Sequence, residues 1–276
     1  MIDAMKTALL LLACLAPTSP ALQDGEGGDL PSVLGDEPLT LVVVGYSSSL
    51  RWPAILQEML DAHAGEPGRY LVASAAVPGA PLPKWLGRGG EAARERTFGR
   101  MARDWFEPGG ERGDHPAPAV ALCQMSLQGI YGPFRRGIRG PSDRERIERG
   151  ADAFEELGEA LAGLGVETVF LSTHIYKHAL EPALHNERYA LDALVDRKPR
   201  WLRRGPDLWT PTRALYPQGF RRDGAHPNEL GARAMAVGWY RRLAGAAADP
   251  AIVAKYSEGL PPSEPAEPRP LRGGDV

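Results

Sequence analysis

Six residues near the C-terminal end carry the strongest chemical signal in the chain: Asp223-Gly224-Ala225-His226-Pro227-Asn228. An imidazole is the side chain best matched to moving protons near neutral pH. A carboxylate three residues away can fix its tautomer and stabilise its charged form. Asp223 and His226 therefore make two parts of a hydrolytic unit that lacks a nucleophile. The candidate is Ser47, in Gly45-Tyr46-Ser47-Ser48-Ser49. That stretch leaves an apolar strand and enters a helix. The hydroxyl is exposed at the strand end, and its backbone N–H lies near a helix N-terminus, where a developing oxyanion is favoured. A serine hydroxyl is inert until a neighbouring base takes its proton, so the three residue types fit acyl transfer. The plain alternatives are turn and cap residues for Ser47 to Ser49 and a loop histidine for His226.

Other reactive side chains point less far. Cys123 ends a buried apolar run, where a cysteine behaves as a small inert apolar residue. His174 and His178 share a helical spacing, with His185 further on, and could ligate a metal. They form no His-Glu-x-x-His pattern, and no cysteine ligand is near. Lys177, between them, could meet an anionic group. The stretch Gln128-Gly129-Ile130-Tyr131-Gly132 could line a cleft or form a surface loop.

The elements that must position these residues alternate. Leu39 to Val44 is a continuous β-branched run ending at Gly45, as in a buried parallel strand. Trp52 to Ala62 has helical apolar spacing through Ile55, Leu56, Met59 and Leu60. Tyr70 to Ala73 and Ala119 to Cys123 read as the second and third strands, with a helix over Glu91 to Phe106 between them. Ser142 with Glu145 predicts a capping box that opens a helix to about Leu164. Val166 to Ser172 is a fourth strand, Asn186 to Val195 a helix, and Pro206 to Trp209 a short fifth strand. Asn228 is a natural N-cap for a last helix carrying Leu230, Ala234, Val237 and Leu243. This order predicts an α/β fold of three layers, α/β/α, with a central, mostly parallel five-stranded sheet. Active sites in such folds lie beyond the carboxyl ends of the strands. Ser47, Gly79, Gln124 and His174 all follow strands.

With these residues in place, the chain resembles the SGNH (GDSL-type) hydrolases. Gly45-Tyr46-Ser47 stands where that family carries Gly-Asp-Ser, and Trp52-Pro53-Ala54-Ile55-Leu56 is similar to its first helix. The final Asp-x-x-His-Pro is met without change by Asp223 to Pro227. The resemblance spans most of residues 39–245. It implies that Ser47 attacks an acyl carbonyl, that His226 is base and then acid, and that Asp223 orients the imidazole. It also implies a glycine N–H in an oxyanion hole, which places Gly79 of Ser74-Ala75-Ala76-Val77-Pro78-Gly79 there. Two blocks depart. Tyr46 replaces the aspartate, and the family's Gly-x-Asn-Asp falls on Cys123-Gln124-Met125-Ser126-Leu127-Gln128, with Met125 at the asparagine. Gln124, Ser126 or Gln128 could replace the lost donor, with Gln124 favoured.

The 276-residue chain has a net charge of −3 and no basic stripe, which argues against nucleic acid as a partner. Lys6, the apolar stretch Thr7 to Leu15 and Ser19-Pro20-Ala21 read as an export signal over residues 1–21. That stretch is too short to span a bilayer, and no second one exists. A lipoprotein anchor at Cys14 is the lesser alternative. Residues 22–37 read as a flexible linker, 38–247 as the folded domain and 248–276 as a Pro-rich disordered tail. The expected protein is therefore an exported serine esterase, periplasmic or extracellular. It needs no cofactor and no metal, and it acts on a small-molecule or glycan ester, the acyl group sitting on a carbohydrate or lipid. The competing expectation is a catalytically impaired relative that binds a glycan or acylated ligand in the same cleft.

Overall fold

Strands and helices alternate along the chain: β1 (Leu39–Gly45), α1 (Trp52–Ala64), β2 (Tyr70–Ser74), α2 (Leu82–Trp85), α3 (Glu91–Arg94), β3 (Val120–Gln124), α4 (Arg144–Ala162), β4 (Thr168–Leu171), α5 (Glu187–Arg197), β5 (Leu202–Arg204), α6 (Trp209–Ala214), α7 (Glu229–Ala244) and α8 (Pro250–Ser257). The structure, a computed structural model, describes residues 32–132 and 136–261. The expected signal at 1–21, Cys14, linker residues 22–31 and tail residues 262–276 lie outside the described residues.

All four strand pairings are parallel, in the order β2-β1-β3-β4-β5. The predicted three-layer α/β/α arrangement is the one observed. Side chains of β1 alternate between two cores. Leu41 and Val43 pack with α1 and α7, while Val42 and Val44 pack with α2, α4 and α5. Both faces are covered, which is why the strand reads as an unbroken apolar run rather than as an alternating one. The chain leaves β1 toward β2 on one side and returns through β3 on the other. The carboxyl ends of β1 and β3, with Gly45 opposite Gln124, therefore flank the point where the winding reverses. A crevice opens there in sheets of this order.

The α1/α7 face is locked by Trp52 and Trp239, both fully buried and stacked with centroids 5.4 Å apart. Trp239→Ala should destabilise the protein by about 3–5 kcal/mol. Urea unfolding monitored by circular dichroism measures this, and a loss under 1 kcal/mol would contradict the packing account.

Four expectations are corrected. The fifth strand is Leu202–Arg204, and Leu208 and Trp209 instead turn into α6. β5 is a three-residue edge strand with two arginines, and such charges suit an edge and hide it from an apolar scan. The Ser142 capping box does not form: Asp143 occupies the cap of α4, and its carboxylate accepts from Arg139 N–H at 3.0 Å. The tail begins later than residue 248. Asp249 caps α8 by accepting from Ala251 N–H at 2.7 Å, Pro250 starts the helix, and Ile252 and Tyr256, one turn apart, are buried. At the other end Val33 and Leu34 pack on the core, and Val33 N–H donates to Leu243 O at 2.9 Å, so chain before residue 38 is also part of the fold.

Candidate active site

Ser47 opens a single 3-10 turn, Ser47–Ser49, directly beyond β1. Such a turn leaves its first N–H groups without intrahelical partners. Tyr46 is extended at φ −131°, and Ser49 N–H donates back to Tyr46 O at 2.8 Å. The return brings Ser49 so close that a Cβ on residue 45 would lie 2.3 Å from its Oγ, so the turn requires glycine there. Ser48 and Ser49 are buried, while Ser47 is half-buried.

The loop carrying Asp223 and His226 is closed by its own backbone. Gly224 N–H donates to Arg221 O and Arg221 N–H to His226 O, each at 2.9 Å, and Phe220 bridges Pro227. The Asn228 side chain then caps α7 through Leu230 N–H and Gly231 N–H, as expected. Asp223 Oδ1 accepts from the N–H groups of Ala225 and His226, and Oδ2 from His226 Nδ1, all at 2.9 Å. The Ala225 N–H, then the imidazole and the His226 N–H, hold the Asp223 carboxyl well below the usual carboxylate range. With Nδ1–H committed to Asp223, Nε2 presents a lone pair, and Ser47 Oγ lies 3.0 Å from it. Residues from opposite ends of the folded chain thus stand in one hydrogen-bonded series above the sheet.

The expected oxyanion donors divide. Val77 N–H bonds Gly45 O at 3.1 Å, which draws the turn after β2 beside the Ser47 turn. Gly79 in that turn has φ +68°, is exposed, and its N–H has no hydrogen-bond partner among the described residues. Gln124 is corrected. It points to the same side of β3 as Leu122 and is fully buried. Its carbonyl accepts from Ser49 Oγ at 2.5 Å and its amide donates to Ser48 Oγ at 3.0 Å. It props the serine turn from below and presents nothing to the cleft. Met125 is core, and Ser126 Oγ donates to Glu187 at 3.1 Å.

His174 and His178 do not share a helix face, because only His178–Leu180 turns as a helix. His174 is buried. Its Nδ1–H donates to Ile175 O at 2.6 Å, so Nε2 accepts the hydroxyl of Tyr46. Burial lowers its pKa to about 3, with Lys177 adding to the effect, so the ring is neutral. His178 is exposed and stacks on Tyr216. Among the described residues no cluster of three or more His, Cys, Asp or Glu is placed to hold a metal ion. Cys123 is buried in β3, and burial pushes its thiol up, far from a thiolate at neutral pH. No helix of the described residues is long and apolar enough to cross a membrane.

Two ionisable groups beside the site were not legible as a pair. Lys177 Nζ sits 5.0 Å from the Tyr46 ring centroid and feels both Glu187 and Asp223. Glu187, in the first turn of α5, accepts from Ser126 Oγ and from Leu127 N–H at 3.0 Å, and its Oε2 has no partner among the described residues. Burial raises its pKa to about 8. Between roughly pH 4.5 and 8 the folded protein therefore keeps a proton that the unfolded chain has released, and stability falls as pH rises through that window. Glu187→Gln should remove the fall, so that the variant gains about 1–3 kcal/mol on the wild type between pH 5 and pH 8. Urea midpoints at the two pH values check this; a gap that does not change with pH contradicts it.

No family model and no curated protein matches this sequence. Solved structures do. A catalytic variant of an acetylxylan esterase from Geobacillus stearothermophilus has a TM-score of 0.51 at 13% identity, covering 78% of this chain and 96% of that one. A family 3 carbohydrate esterase from Talaromyces cellulolyticus gives 0.48 at 12%, covering 80% and 99%. A protein from Slackia heliotrinireducens assigned to the SGNH hydrolases gives 0.44 at 15%, covering 73% and 96%. The chain has the SGNH-type hydrolase fold.

Proposed function

We propose that the protein is a serine esterase that removes an acyl group from a carbohydrate or lipid through an acyl-enzyme on Ser47. One observation carries this: the unbroken series from Asp223 through His226 to Ser47, at 2.9 and 3.0 Å, beyond the carboxyl ends of a parallel sheet. In the proposed reaction Ser47 Oγ attacks the ester carbonyl carbon while its proton passes to His226 Nε2. His226 then protonates the departing alkoxide, and water releases the acyl group by the same steps in reverse roles. Asp223 stays ionised and stabilises the imidazolium. Esterase neighbours support the reaction class, and a carbohydrate ester is the substrate class favoured by the acetylxylan esterase among them. The leader-like residues 1–21 support export, which fractionation of the producing cell would test.

A fluorophosphonate probe tests the chemistry. It should label wild type and not Ser47→Ala, and wild type should turn over short p-nitrophenyl esters. Gln124, tied down beneath the turn, favours a second reading, a protein that binds an acylated ligand without cleaving it. Absence of both labelling and turnover would select that reading.

A further inference from the structure

We propose that Lys177 is the electrophilic group of this site, its ammonium donating to the carbonyl oxygen of the ester as that oxygen becomes an anion. The inference rests on the esterase reading and adds a residue to it. A half-buried ammonium is costly unless something anionic meets it, yet the Lys177 ammonium makes no hydrogen bond or ion pair with any described residue. Neither neighbouring carboxyl group pairs with it, although Glu187 Oε2 has no other partner among the described residues. Asp223 spends Oδ1 on two backbone N–H groups and Oδ2 on His226. Glu187 spends Oε1 on Ser126 and Leu127, and near neutral pH it holds a proton. The ammonium instead rests on the face of Tyr46, the residue next to Ser47, whose ring is held by its hydroxyl's bond to His174. An aspartate at position 46, as in the family pattern, would neutralise that ammonium; a tyrosine leaves it available. The cation thus stands beside the residue preceding Ser47 and within electrostatic reach of Asp223, in a site where the buried Met125 occupies the place of the family's asparagine.

The electrons balance as follows. The Oγ–C bond forms as the Ser47 proton moves to His226 Nε2, and the carbonyl π pair moves onto oxygen. Lys177 donates a hydrogen bond to that oxygen and keeps its proton. On collapse the pair returns and the alkoxide leaves with the proton from His226.

The test compares wild type, Lys177→Met and Lys177→Arg on neutral p-nitrophenyl acetate, with near-ultraviolet circular dichroism as the check on folding. Lys177→Met should lose about a hundredfold in kcat, with KM within about threefold, and should slow fluorophosphonate labelling of Ser47 similarly. Lys177→Arg should recover at least a tenth of the wild-type kcat. An active wild type with Lys177→Met within threefold of its kcat overturns the role of Lys177 alone. A loss confined to KM overturns it too, because that marks ground-state binding. A wild type that neither turns over nor labels overturns the esterase reading and this inference with it.

Discussion

Replacing His226 with alanine should lower kcat/KM for ester hydrolysis by about 10⁴-fold or more while leaving the protein folded. The imidazole is partly exposed and spans only Asp223 and Ser47, so its removal opens no core cavity. What is lost is the only acceptor, among the described residues, bonded to the Ser47 hydroxyl proton. Ser47→Ala should cost a similar factor, and the double variant should be no worse than either single one, because the two groups act as a unit. Steady-state kinetics on a p-nitrophenyl ester, with unfolding midpoints alongside, decides this. His226→Ala activity within tenfold of wild type would remove His226 from the reaction.

Asp223→Asn should cost about 10³–10⁴-fold in kcat with little change in overall shape. The amide oxygen can still accept from Ala225 N–H and His226 N–H, so the loop keeps its closure. The amide nitrogen then faces His226 Nδ1, and two donors cannot share that contact. Nδ1 must become the acceptor, which moves the ring proton to Nε2, where it meets Ser47 and leaves no lone pair to take the hydroxyl proton. Asp223→Ala, which imposes no tautomer but also opens the loop, should leave the protein less stable than Asp223→Asn. Full activity in the asparagine variant would mean that the imidazole is oriented by something else.

The acid and the imidazole were legible because their geometry is local: three residues, a glycine turn and an asparagine cap dictate it almost alone. Ser47 was legible one step less directly, through the break from a buried apolar strand into a short turn. The fate of Gln124 was hidden because its side depends on strand phase, and a shift of one residue reverses it. Lys177 and Glu187 belong to different elements, and only the packing of α5 against the exit of β3 brings them near. α8 was missed for a compositional reason. The Pro, Glu and Gly residues that follow it dominate the composition from Pro250 onward, so the two residues that dock it, Ile252 and Tyr256, are easily lost.

The seating of Val33 against Leu243 has a geometric consequence. α7 starts beside His226 and reaches Leu243 at its fifteenth residue, about 21 Å along its axis. The incoming chain at Ser32 therefore departs from the pole of the molecule opposite the cleft. Held to any surface by that end, the protein would turn its cleft outward, open to a bulky polymer, with no need to reorient.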